Sequence, residues 1–171
     1  MLDLFLIRHA KSEWRNASGE DLKRDISTLG IEKTRIIGEY MKKKGLKINE
    51  ILCSPSLRTR QTSDIILEFL VQKPKVRIVD DLYFAFGRSI FETVIEKGNE
   101  KSTMIISHEP LLSDSIDDFS NDRKNENYLR AREKFPTSGL FYIKFNAKKW
   151  HMINRRNSKI ISFIRPRDLM G

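Results

Sequence analysis

The stretch Leu2-Asp3-Leu4-Phe5-Leu6-Ile7-Arg8-His9-Ala10-Lys11-Ser12 decides the architecture. An apolar run of strand length, interrupted only by Asp3, reads as a strand buried on both faces, as in a parallel sheet covered by helices. It ends abruptly in a polar loop that opens with a cation and an imidazole. Ligands of open α/β sheets sit outside the carboxyl ends of the strands, so Arg8 and His9 stand where a site is expected.

Working outward, Ile36, Ile37, Tyr40 and Met41 have helical spacing, and Lys42-Lys43-Lys44-Gly45 supplies a basic last turn and a glycine stop. Glu50–Cys53 reads as a second strand. Ser54 and Pro55 then predict an N-cap and a first helical residue for a helix with the apolar face Ile65, Ile66, Phe69 and Leu70, ended by Lys73-Pro74. Residues 76–79 predict a third strand, 89–97 a third helix and 103–107 a fourth strand, with His108 just past it. The charged region 113–134 offers few apolar anchors and is expected to form a peripheral helix and loop. Leu140–Phe145 and residues 150–153 predict an antiparallel hairpin, followed by an extended segment at 159–164 before Pro166. Alternating strands and helices with a terminal hairpin imply an α/β fold, its sheet mostly parallel with an antiparallel edge, in one domain spanning residues 1–171.

Composition narrows the function classes. The chain has 171 residues, enough to bury a sizeable core, and only 8 Gly and 5 Pro, which excludes collagen-like and low-complexity classes. Its longest wholly apolar runs are far shorter than the roughly 20 residues of a membrane span, and the N-terminus lacks a secretory pattern. Cys53 is the lone cysteine, so no internal disulfide and no cysteine-based zinc site is expected, and a reducing cytoplasm fits. A net charge of +9 favours anionic partners. The basic clusters are short, interleaved with acidic residues and without aromatic stacking platforms, which weighs against nucleic acid.

Three points place polar groups at strand ends: Arg8-His9 after the first strand, Arg58 in the first turn after the second, and His108 after the fourth. Arg58 opposes the helix macrodipole, a local violation that an anion at the helix N-terminus would convert into a binding site. Two imidazoles at equivalent strand ends can act as nucleophile and as hydrogen-bond donor. His151 lies far along the chain and is assigned no role. Cys53 and Arg58 do not form a cysteine-phosphatase loop, because four rather than five residues separate them, and no Gly-x-Ser-x-Gly elbow marks a serine hydrolase.

Leu6-Ile7-Arg8-His9-Ala10-Lys11-Ser12-Glu13-Trp14 resembles the Arg-His-Gly/Ala signature of the histidine phosphatase (phosphoglycerate-mutase-like) superfamily, specifically its small SixA-like phosphohistidine phosphatase branch. In the same order, Asp21-Leu22-Lys23-Arg24 through Ser27 to Gly30, Cys53-Ser54-Pro55-Ser56-Leu57-Arg58-Thr59-Arg60-Gln61-Thr62, Leu82-Tyr83, Ile106-Ser107-His108-Glu109-Pro110 and Phe135-Pro136-Thr137-Ser138-Gly139 resemble further segments of that branch. The resemblance implies a three-layer α/β/α fold, His9 as a nucleophile forming a covalent phosphohistidine, and Arg8, Arg58 and His108 as the phosphate-binding groups. It implies no cofactor and no metal, and a monomer acting on a phosphorylated substrate, foremost phosphohistidine in a protein partner.

Two departures stand out. No Glu occupies the place, in the segment Asp80-Asp81-Leu82-Tyr83-Phe84-Ala85-Phe86-Gly87, where larger relatives keep a proton donor; Asp81 is the weak remaining candidate. A labile P–N bond suits a site without a strong acid. Glu109 replaces a common Asn, and its carboxylate either weakens anion binding or points away. Ser12 and Asn16 resemble phosphate-side or substrate-side residues but read as turn-formers. The alternatives are a small-molecule phosphomonoesterase acting on sugar phosphates or nucleotides, and a non-catalytic anion or nucleic-acid binding module on the same fold.

Overall fold

The computed structural model describes residues 1–14, 19–83 and 88–171. Six strands form one sheet: β1 (Leu2–Arg8), β2 (Glu50–Cys53), β3 (Lys75–Ile78), β4 (Ser102–Ser107), β5 (Leu140–Phe145) and β6 (Ser158–Ile164). Their order is β3-β2-β4-β1-β5-β6. β1, β2, β3 and β4 are parallel, β5 runs antiparallel to β1, and β6 antiparallel to β5. The direction reversal therefore falls on β5, one strand in from the edge that β6 closes.

Side-chain alternation along the strands builds two cores. Leu4 and Leu6 of β1, Ile105 of β4 and Phe141, Ile143 and Phe145 of β5 face one side. There they meet helices α3 (Ile90–Lys97), α4 (Leu111–Phe119) and α5 (Glu126–Glu133) through Val94, Phe119 and Tyr128. Phe5, Ile7, Ile51, Met104 and Ile106 face the other side, covered by α1 (Thr28–Lys43) through Ile37 and Met41 and by α2 (Leu57–Leu67) through Ile66. This is the three-layer α/β/α architecture. A short C-terminal helix, α6 (Pro166–Leu169), packs beside α1.

Three local expectations are corrected. Residues 150–153 are not the hairpin partner of β5: Trp150–Met152 is a single 3₁₀ turn, and β6 takes the partner's place. The reason is the Trp150 side chain, buried against Phe145 with its indole N–H donated to the Glu100 carbonyl at 2.8 Å. Region 113–134 carries two helices rather than a loose periphery; Leu112, Ile116, Phe119, Tyr128 and Ala131 are buried at helical spacing amid charged residues. The cap of α2 is Ser56, whose hydroxyl accepts from the Thr59 amide, and not Ser54, whose amide continues the sheet by donating to Ile106.

Candidate active site

Register brings the two candidate imidazoles together. β1 and β4 are neighbours, and Arg8 pairs with Ser107, so the next residue on each strand, His9 and His108, emerges side by side. Their ring centroids lie 5.2 Å apart, and each residue is 7% exposed. β2 lies on the far side of β4 with Cys53 opposite Ile106, which sets Ser54 against His108 and starts α2, carrying Arg58, at the same rim.

The hydrogen bonds fix which nitrogens carry protons. His9 Nδ1 lies 2.7 Å from the carbonyl oxygen of Ala10, an acceptor only, so Nδ1 is the protonated nitrogen and Nε2 keeps its lone pair. Arg58 Nη2, a donor only, lies 3.4 Å from His108 Nδ1, so the His108 proton sits on Nε2 and is donated to Ser54 Oγ at 2.7 Å. Burial and then the neighbouring charges bring both imidazoles down to about 3: for His9 the adjacent cations oppose a raising contact from Ala10, and for His108 the other ring and Arg58 act with burial. Both rings are neutral near pH 7.

Cations surround them. Arg58, almost fully buried, donates Nη1 to the Asp21 carbonyl at 2.8 Å and Nη2 to the Asp21 carboxylate at 3.1 Å. Arg8 donates Nη1 to the Phe135 carbonyl at 3.0 Å, and its pKa is lowered first by desolvation, against the raising influence of Glu109. The Nε groups of Arg8 and Arg58 are buried with no acceptor among the described residues. Unpaired buried donors cost about 1–3 kcal/mol each, a deficit that an oxyanion would remove. The electropositive start of α2 adds to the same field.

The structure thus brings Arg8, His9, Arg58 and His108 to one rim. It adds residues that spacing did not single out. Asp21 accepts from Arg58, from Arg24 at 3.0 Å and from the Tyr83 hydroxyl at 2.5 Å. Burial disfavours its charge, yet Tyr83, Arg24 and Arg58 together hold its carboxyl down at about 2, so it is ionised and has no proton to donate. The Tyr83 ring stands edge-on to His108 at 5.4 Å. These positions were visible only inside longer stretches, because a turn residue carries no periodicity. Arg24 also donates Nη2 to Ser12 at 2.7 Å.

Glu109 turns to the start of α4, where its carboxylate accepts from the Ser113 amide at 2.8 Å. Asp81 lies 3.9 Å from Arg88, and its relation to residues 84–87 is outside the described residues, as is Asn16. Cys53 is fully buried and burial pushes its thiol up to about 12, which leaves it inert as a nucleophile.

Comparison with known proteins agrees with this geometry. Residues 4–83 match the family model described as the histidine phosphatase superfamily (branch 1). An uncharacterized protein of Mycobacterium leprae is 26% identical over 166 residues, covering 94% of this chain and 100% of the relative. A structure from Agrobacterium tumefaciens, assigned as the phosphohistidine phosphatase SixA, superposes with a TM-score of 0.79 at 22% identity over 96% of this chain and 97% of the other. The protein histidine phosphatase SixA complexed with tungstate superposes with a TM-score of 0.75 at 19% identity over 98% and 99%. The family model thus covers the strand, loop and helix that carry Arg8, His9 and Arg58, and the chain as a whole shares its fold with the SixA structures.

Proposed function

We propose that the protein is a phosphatase that works through a phosphohistidine on His9, with phosphohistidine in a protein partner as its substrate. The observation that carries the reading is the His9 ring: its Nδ1–H is tied to the Ala10 carbonyl, so the Nε2 lone pair faces a rim holding two guanidinium groups and a second imidazole. A neutral imidazole needs no deprotonation before attack.

In the first half-reaction, His9 Nε2 forms a bond to phosphorus while the P–N bond of the substrate breaks. The departing imidazole, protonated on its other nitrogen, leaves as a neutral ring. In the second, water attacks phosphorus, the bond to Nε2 breaks, and inorganic phosphate departs. Arg8, Arg58 and the start of α2 offset the charge on the equatorial oxygens. His108 enters this field by exchanging its proton: once Arg58 turns to the phosphoryl group, Nδ1–H donates to it while Nε2 accepts from the Ser54 hydroxyl, which can serve either tautomer.

Asp21 is held ionised and the Tyr83 hydroxyl is already donated to it, so neither offers the proton that an alkoxide leaving group requires. This favours a phosphoramidate over an alkyl phosphate ester. No metal takes part in the scheme. The test is brief incubation with a phosphohistidine protein, quenching, and mapping of acid-labile, base-stable phosphate on the enzyme. Label on His9, turnover that survives chelator, and loss of both in His9→Ala are expected. Label elsewhere, or an active His9→Ala, would sink the assignment.

A further inference from the structure

The catalytic rim extends sideways into a basic groove. β5 is antiparallel to β1, so it begins where β1 ends, with Leu140 opposite Ile7. β6 is antiparallel to β5, so it ends at the same rim, with Ile164 opposite Leu140. The segments before β5 and after β6 therefore stand beside the candidate active site. They enclose a cavity of about 350 Å³ lined by Lys33, Arg130, Lys134, Arg165 and Arg167, with Glu133 as the acidic member of the lining and Pro136, Thr137 and Pro166 beneath.

The groove is joined to the site by the turn between them. The carbonyl of Phe135 accepts from Arg8, the amide of Ser138 donates to the Arg8 carbonyl, and the Ser138 hydroxyl meets Thr34, next to Lys33, at 2.7 Å. Part of the lining is rigid. Asp168 takes a two-pronged bond from Arg165 at 3.0 and 2.6 Å and stands 3.6 Å from Arg130, which also donates to the Phe163 carbonyl. Among the described residues the charges of Lys33, Lys134 and Arg167 are left without a salt-bridge partner.

We infer that this groove docks an acidic polypeptide segment of the phosphorylated partner, lying beside the phosphorylated residue. The inference rests on the proposed phosphatase reading and adds what the partner must look like. Five cations against Glu133 and Asp168 select an anionic ligand, and the lining holds no aromatic ring on which a nucleotide base would stack. The polypeptide is thus favoured over nucleic acid.

The test uses an unphosphorylated Glu-rich peptide and its Gln-for-Glu counterpart, followed by fluorescence anisotropy, with wild type and K33E/K134E/R167E. The Glu-rich peptide should bind wild type about tenfold more tightly than the Gln version, and the triple variant should lose that margin, while turnover of free phosphoramidate stays at the wild-type rate. Raising salt should weaken the peptide contact. Equal binding of both peptides, an unchanged triple variant, or a single-stranded DNA oligonucleotide that displaces the peptide would overturn the inference. Binding as expected from a protein that never turns over phosphohistidine supports the groove and rejects the phosphatase reading alone.

Discussion

A few hydrogen bonds set the chemistry of single residues here. His9 would be an ordinary loop histidine without the Ala10 carbonyl that selects its tautomer, and His108 depends in the same way on Ser54 and Arg58. Ser54 reads as a helix cap in sequence, because Ser-Pro before a helix is a cap pattern; only the position of β4 shows its hydroxyl spent on an imidazole. Ser54→Ala should lower kcat on a phosphohistidine substrate about tenfold while leaving KM within about twofold, since it removes tautomer control and not an anion contact. Ser54→Thr, which restores a hydroxyl, should recover part of the loss. Steady-state kinetics of the pair decides the point: equal rates in Ser54→Ala and wild type would make the contact structural only. Arg8, His9, Arg58 and His108 were legible as candidates because each follows a strand or opens a helix, where regular structure needs no such side chain. Asp21 and Tyr83 were not, since Asp21 meets Arg58 across 37 residues of chain and Tyr83 meets Asp21 across 62.

Among elements, the start of α1 supports the site through close packing. A Cβ on Gly30 would stand 2.3 Å from the carbonyl oxygen of Lys11, two residues after His9, and 3.1 Å from the Lys11 amide nitrogen. The obstacle is backbone, so it cannot swing aside. Gly30→Ala should cost about 1–3 kcal/mol of stability and also displace the His9 loop, lowering activity per folded molecule at least tenfold. Gly38→Ala, one helix face along, would meet the Phe69 ring at 2.2 Å. It should cost comparable stability with near-normal activity per folded molecule. Urea melts and active-site titration separate the two; equal effects on activity would deny α1 its local role. Helices α4 and α5 went partly unread because acidic and basic residues outnumber their buried anchors, and Trp150 misled because a buried aromatic near a strand looks like strand.

For the whole molecule, two neutral, buried imidazoles link folding to pH. Their pKa values fall to about 3 in the folded chain, below the ordinary histidine value near 6.5, so in that window the unfolded chain binds protons that the native state excludes. Stability should therefore decline as pH falls below about 6.5, with each excluded proton contributing about 1.4 kcal/mol per pH unit between the two values. Chemical denaturation of wild type and His108→Asn from pH 7 to pH 5 should show a slope shallower by about one proton in the variant. Parallel curves would mean that His108 titrates normally in the native state. By itself the sequence determined the strand and helix alternation, the two buried faces and the strand-end placement of the four candidate side chains, because hydrophobic period and chain breaks are local properties. Tertiary structure alone decided that β4 inserts between β2 and β1, which sets His108 beside His9. It also decided that β5 and β6 carry a basic groove to the same rim, and that Asp21 closes on Arg58. These are non-local pairings, whose energy comes from burial and charge shared between distant segments, and no local pattern encodes such partners.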